Sequence, residues 1–218
     1  MNPIVKRVVS ALTTAALFVL AIIYVPTAWI LPAVVALVLV AALEYALLLK
    51  RKFEPLSVGF GLAFLLGVAV LCGLLALPMT ALRHGNLMML YLIAIIKFSD
   101  MGGFAFGMSS ARLMEGGNHK LCPTISPNKS WEGLFGSVLA SVLLSLAFLS
   151  ITKFSVPKAL AFGVAAALVG TAGDLVESKF KRWVGVKDSA TFMPAGLGGF
   201  LDMFDSLLLA PAVLFQFI

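Results

Sequence analysis

Residues 28–49 read AWILPAVVALVLVAALEYALLL and run straight into Lys50-Arg51-Lys52. At about 1.5 Å rise per residue, a helix of this length crosses a hydrocarbon core of roughly 30 Å. Comparable apolar runs recur near 9–26, 57–78, 87–107, 132–152, 157–176 and 199–217. The pattern predicts an all-α fold, a polytopic integral membrane bundle with about seven transmembrane helices in one domain over 1–218. The boundaries fall at Pro26-Thr27, the Lys50-Arg51-Lys52 cluster, Pro78, the turn 153–157 and two polar stretches read as loops, 108–131 and 177–198.

Composition agrees with this reading. The 218 residues are 61% hydrophobic and 12% charged, with mean hydropathy +1.06, whereas soluble domains carry about 25% charged residues. No soluble fold covers so much apolar surface. The net charge of +6 sits in short segments between apolar runs, which points to anionic lipid headgroups or a phosphorylated ligand and away from nucleic acid. The run after Lys6 and Arg7 has the look of a signal peptide but lacks a small-residue cleavage site, and is read as a retained helix. Cys72 and Cys122 match neither a disulfide framework nor a metal spacing.

With the N-terminus inside, the cytoplasmic segments carry Lys6, Arg7, Lys50, Arg51, Lys52, Arg112, Lys120, Lys129, Lys179, Lys181, Arg182 and Lys187. Arg83, Lys153 and Lys158 fall outside, so both polar stretches are expected to face the cytoplasm. The glycines at 59, 61, 67, 163 and 170 are expected to serve close helix contacts.

An ionisable group within a span needs a partner, a cavity or a ligand. Glu44, Lys97, Asp100, Asp174, Asp202 and Asp205 are such groups. Lys97 and Asp100, three apart, share a helix face and fit an internal ion pair as well as a functional role. Asp202 and Asp205 repel unless a cation or a basic side chain lies between them. Asp174 adds a third carboxylate on the same side. These hard oxygen donors suit Mg²⁺ better than zinc, although a salt-bridge network with Lys179, Lys181 and Lys187 answers the same charges. The stretch 116–133, with His119, Lys120, Ser126, Asn128, Lys129 and Ser130, holds phosphate-compatible groups. No GxxxxGK[ST], HExxH, GxSxG or GxGxxG motif occurs. The residues alone lead to a metal-dependent membrane enzyme acting on a phosphorylated ligand, or to a transporter of one.

Two blocks carry a resemblance. The first is Gly173-Asp174-Leu175-Val176-Glu177-Ser178-Lys179-Phe180-Lys181-Arg182, followed by Lys187-Asp188-Ser189, Pro194, Gly198-Gly199-Phe200-Leu201-Asp202 and Asp205-Ser206. The second is Asp100-Met101-Gly102-Gly103-Phe104, Gly107, His119-Lys120-Leu121, Pro123 and Ile125-Ser126-Pro127-Asn128-Lys129-Ser130-Trp131-Glu132-Gly133. Together they resemble the phosphatidate cytidylyltransferases, or CDP-diacylglycerol synthases, over a core of about 97–207. Two departures stand out. The family's Pro-x-His-Gly-Gly is here Pro194-Ala195-Gly196-Leu197-Gly198-Gly199, one residue longer and without histidine. Met203 replaces the basic residue that usually follows Leu-Asp.

The resemblance implies transfer of CMP from CTP to phosphatidate at the cytoplasmic face of a bacterial inner membrane, in phospholipid biosynthesis. It implies a Mg²⁺ centre at Asp174 and Asp202, with a neighbouring monovalent cation such as K⁺, and with Asp205 and Asp188 as second choices. Lys181, Arg182 and Lys187 would hold CTP phosphates or the lipid phosphate. Ser126, Asn128, Lys129 and Glu132 would shape the nucleotide side, with Ser178 beside the lysine cluster. Membrane lipids and a second copy of the chain, as a homodimer, are the implied partners. The competing readings are a cytidylyltransferase for another phosphorylated lipid, an inactive relative, and a transporter whose helices break at the glycines at 102, 103, 107, 173, 198 and 199.

Overall fold

A computed structural model describes residues 19–55, 57–115, 117–186, 189 and 199–218. The start of the first apolar run, Lys187, Asp188 and the departure at 194–198 lie outside the described residues. After α1 (19–24 described) come α2 (Thr27–Leu49), α3 (Val58–Leu71), a 3-10 turn at Cys72–Leu75, α4 (Ala76–His84) and α5 (Asn86–Leu113). A short antiparallel hairpin follows, β1 (Lys120–Cys122) and β2 (Ser126–Ser130), with Lys120 opposite Ser130 and Cys122 opposite Ser126. The chain then forms α6 (Trp131–Ala147), α7 (Leu149–Thr152), α8 (Val156–Trp183), α9 (Phe200–Phe204), a 3-10 turn at Asp205–Leu207 and α10 (Ala210–Leu214).

The protein is an all-α membrane bundle, with the hairpin as a small addition. Among the described residues four helices are long and apolar enough to cross a bilayer, namely Thr27–Leu49, Val58–His84, Asn86–Leu113 and Val156–Trp183. Trp131–Ala147 and Asp205–Phe217 are shorter apolar helices. Leu39, Leu62, Leu65, Leu66 and Leu143 project outward, a surface suited to acyl chains and to no aqueous solvent. Inside, Tyr91, Leu92, Ile95 and Ile96 of α5 are fully buried beside Phe162 and Ala166 of α8. The Tyr91 hydroxyl, which would be unpaired in this setting, meets Ser145 Oγ at 2.9 Å.

Three boundaries differ from the sequence expectation. Pro78 does not end a helix. The break comes earlier, at Cys72–Leu75, and Pro78 falls in the first turn of α4, where its missing N–H removes no helical bond. The loop expected from 108 is still helix to Leu113. The loop expected from 177 is the last turns of α8, where Glu177 pairs with Lys181 one turn on and Ser178 donates to Asp174.

The glycines are packing devices at some of the expected places and at others not expected. A Cβ on Gly163 would press on the Val142 backbone at 2.7 Å, and one on Gly67 would enter the Tyr45 ring, but Gly61 has nothing within 4 Å. At the α5–α6 crossing Gly102 faces Gly136 so closely that an added Cβ would lie 2.5 Å from the Gly136 carbonyl oxygen. Helices α5 and α8 therefore run unbroken through Gly102, Gly103, Gly107 and Gly173. These four do not serve as the breaks a transporter reading needs.

The two ends of the bundle are distinguishable. At one, the Asn86 amide donates to the Ile22 and Val25 carbonyls at 2.8 and 3.0 Å, closing the end of α1 over the start of α5. At the other, Lys52 lies over the Trp183 ring at 5.6 Å, joining the ends of α2 and α8.

Candidate active site

A cavity of about 600 Å³ opens at the Lys52–Trp183 end, walled by α5, β2, the start of α6, α8 and the 202–205 segment. Its lining includes Lys97, Asp100, Ser126, Asn128, Lys129, Ser130, Ser137, Thr171, Asp174, Asp202 and Asp205. Each wall has a local cause. The long α5 carries Lys97 and Asp100 on one face, as their spacing requires, with Lys97 Nζ 3.7 Å from Asp100 Oδ2. The hairpin is tied to α6 by Ser130, whose Oγ accepts the Gly133 N–H at 3.1 Å as the helix cap. Gly103 and Gly133 let α5 and α6 meet closely enough to form the floor.

Asp174 on α8 forms an ion pair with Lys129 of the hairpin, joining the two sequence blocks across the cavity. Asp202 is held more firmly. Its Oδ1 accepts from Lys181 Nζ at 2.6 Å, and its Oδ2 accepts from the Ser189 and Gly199 N–H groups at 2.9 and 2.7 Å. Lys181 also lies 2.8 Å from Glu177 Oε2, so one ammonium bridges two largely buried carboxylates. Asp205 accepts from the Ser206 N–H at 2.6 Å and stands 3.9 Å from Lys97 Nζ, which in turn donates to Ser206 Oγ at 3.0 Å. The expected clash of Asp202 with Asp205 is thus relieved by separate lysines.

Other expected site residues lie around the cavity and do not line it. The Glu132 carboxylate pairs with His119 Nδ1 at 2.6 Å and bonds the His119 N–H, closing the hairpin base onto α6. Ser178 Oγ donates to Asp174 at 3.4 Å. Arg182 reaches the Val186 carbonyl at 3.3 Å. Lys187 and Asp188 lie outside the described residues. Lys97 and Asp100, left open in the sequence as an ion pair, are cavity residues, and Glu177 belongs to the lysine network. The available signal for all three was a charged residue in, or just beyond, an apolar run.

Among the described residues that line this cavity, Asp100, Asp174, Asp202 and Asp205 face Lys97 and Lys129. Four carboxylates against two ammonium groups among these residues leave an excess of negative charge. A polyanion enters such a space only with a cation. Among the described residues no group of three or more His, Cys, Asp or Glu side chains is arranged to hold a metal alone. The donor set fits an ion that keeps water or takes phosphate oxygens, which is the habit of Mg²⁺.

The sequence profile of the cytidylyltransferase family matches residues 7–218, nearly the whole chain. This chain belongs to the cytidylyltransferase family. It is similar to the phosphatidate cytidylyltransferase of Staphylococcus aureus (strain COL), 38% identical over 168 residues that cover 76% of this chain and 61% of that protein. The phosphatidate cytidylyltransferase of Staphylococcus epidermidis (strain ATCC 12228 / FDA PCI 1200) is 38% identical with the same coverage, and that of Staphylococcus saprophyticus 36%. The match spans about three fifths of the length of these curated relatives. In this cytidylyltransferase the two sequence blocks meet at one cavity, joined by Lys129 and Asp174.

Proposed function

We propose that this cytidylyltransferase is a CTP:phosphatidate cytidylyltransferase. The observation that carries the reading is the cavity in which both blocks meet, with carboxylates on the α8 and 202–205 side and Lys129, Ser126 and Asn128 on the hairpin side. An oxygen of the phosphatidate phosphate attacks the α-phosphorus of CTP. The bond from that phosphorus to the bridging oxygen breaks, and pyrophosphate leaves with CDP-diacylglycerol as the lipid product. A phosphate monoester, with a second pKa near ~6, is already largely ionised at neutral pH, so little general-base help is needed. The task is to bring two anions together in line.

In this reading Asp174 and Asp202 would hold Mg²⁺, with Asp205 as the further carboxylate and K⁺ as the neighbouring monovalent ion. When bound, the divalent ion offsets phosphate charge and polarises the P–O bonds. Asp202 retains acceptor capacity for it, since each carboxylate oxygen has two lone pairs. Lys129 and Lys97 place positive charge beside the phosphates, and Ser126 and Asn128 donate hydrogen bonds that orient the nucleotide. Lys181 keeps Asp202 ionised and aimed. Glu132 acts through the hairpin by fixing His119.

The same proposal places the cavity and the N-terminus on the cytoplasmic side of a bacterial inner membrane. Lys50–Lys52, Arg112, Lys179 and Arg182 lie at the cavity end of their helices, which supports that orientation. It counts seven crossings, adding the first apolar run, α6–α7 and Asp205–Phe217 to the four long helices, and it includes a homodimer.

The test is conversion of radiolabelled CTP to a chloroform-extractable product by the purified protein with phosphatidate, in Mg²⁺ and in excess chelator. Metal-dependent labelled lipid is expected. Absence of product from a folded sample, beside an active control enzyme, overturns the reading.

A further inference from the structure

Glu44 is a fully buried carboxylate in α2, outside both sequence blocks, flanked by the buried aliphatic residues Ala41, Leu48 and Leu49. A charge in such a place needs donors. One of its donors is the Leu201 N–H, which meets Oε2 at 2.9 Å, and Ser189 Oγ lies 3.5 Å from the same oxygen. Leu201 is the second residue of α9, so its N–H is one of the orphan donors at a helix start. A Ser, Thr, Asn or Asp at the cap position normally accepts such a donor. Here the cap is Gly199, which has no side chain.

The opposite half of a capping arrangement is present. Asp202, the third residue of α9, reaches back to accept the Gly199 N–H at 2.7 Å and also takes the Ser189 N–H at 2.9 Å. A Cβ on Gly199 would come within 2.5 Å of Glu44 Oε1. The space a capping side chain would fill is therefore taken by Ser189 Oγ, which lies closer still, and by Glu44, delivered from a helix more than 150 positions upstream to accept the Leu201 N–H. Residues 189 and 199–201 are gripped on one side by Asp202 and on the other by Glu44.

We propose that Glu44 is a positioning residue that serves as the missing helix cap of α9 and so fixes the Asp202 carboxylate against Lys181 and the cavity. It touches no substrate. An aliphatic residue of similar size fills the volume but cannot accept the Leu201 N–H, and leaves a buried backbone donor unpaired. Glutamine retains a carbonyl acceptor and gains an NH₂ group that can donate to Ser189 Oγ. Only the kinetic arm of the test rests on the cytidylyltransferase reading. The structural arm does not.

The test compares wild type, Glu44→Gln and Glu44→Leu as full-length protein in lipid nanodiscs, by amide hydrogen exchange over 199–204 and by turnover of CTP with phosphatidate. In Glu44→Leu, exchange over 199–204 is expected to quicken at least tenfold while α5 is unchanged. Its kcat is expected to fall at least tenfold, with KM for CTP within threefold. Glu44→Gln is expected to recover both readouts to within threefold of wild type. Wild-type exchange in Glu44→Leu overturns the proposal. So does faster exchange along every helix with Glu44→Gln no better than Glu44→Leu, because Glu44 is then a general stability residue. Local loosening in Glu44→Leu with no lipid product from any of the three proteins upholds the cap and refutes the assigned reaction.

Discussion

The α5–α6 crossing yields a prediction in which one substitution has opposite signs at two places. In Gly102→Ala, the new methyl carbon would lie 2.5 Å from both the Gly136 carbonyl oxygen and the Ala140 Cβ. Ordinary contact begins near 3.4 Å, and neither neighbour can rotate away, so the helices must part by roughly 0.9 Å. Overpacking of this kind costs about 1–3 kcal/mol, and two rigid neighbours place the case in the upper half. The better helix propensity of alanine offsets about 1 kcal/mol. The net loss is about 1–2 kcal/mol, or roughly 2–8 °C in Tm for a chain of this size. Gly61→Ala meets nothing within 4 Å, so only the propensity gain remains, and Tm should rise by roughly 2–4 °C. Thermal melting of both variants in one detergent, followed by tryptophan fluorescence, checks the pair. Because Gly103, Gly133 and Ser137 of the same crossing line the cavity, Gly102→Ala should also lose turnover at temperatures where it is still folded. A Gly102→Ala protein as stable as wild type would refute the close crossing and the cavity floor built on it.

Lys181→Met leaves Glu177 and Asp202 facing each other without their shared cation, and should destabilise the protein by about 3–5 kcal/mol in denaturant titration. Adding Glu177→Gln to that chain removes one of the two stranded carboxyl groups and should recover a measurable part of the loss. Asp174→Asn and Asp202→Asn should each lower turnover by at least about a hundredfold, on the scale of lost electrostatic groups in other enzymes, while the protein remains inserted and folded. Retained activity in Asp202→Asn would move the metal site elsewhere. Excess chelator should abolish labelled lipid, and added Mg²⁺ should restore it.

The bundle was legible where a residue's setting is local. The run 28–49 needs only its own length and apolarity, and it matches Thr27–Leu49 to within a residue. The end of α8 is hidden because hydropathy falls sharply after Val176, although Asp174–Ser178 and Glu177–Lys181 carry the spacing of a continuing helix. Carboxylates in apolar runs announced the cavity, since nothing else repays their burial. What they pair with was not legible. Asp202 and Asp205 share a helix face by count, yet a change from α9 to a 3-10 turn at Asp205 sends them to different lysines. The hairpin at 120–130 is too short and too rich in turn residues to show strand alternation. Nothing local to Glu44 indicates its role, because partners of its carboxylate stand at 189 and 201.

The division of charge between the two walls explains why the site joins elements so far apart. A wall of carboxylates alone would hold a cation and repel nucleotide, while a wall of lysines alone would hold phosphate and leave the reaction without a bridging ion. The Asp100–Gly133 block supplies Lys129 at the end of β2, just ahead of α6, whose N-terminus adds partial positive charge near the cavity. The Gly173–Ser206 block supplies Asp174 and Asp202. The Lys129–Asp174 pair is then more than a brace. In the proposed reaction each partner would have a better-matched ligand, phosphate for the Lys129 ammonium and the cation for the Asp174 carboxylate, so one ion pair would give way to two. In that reaction the pair would hold the walls together until a ligand that satisfies both of its halves arrived.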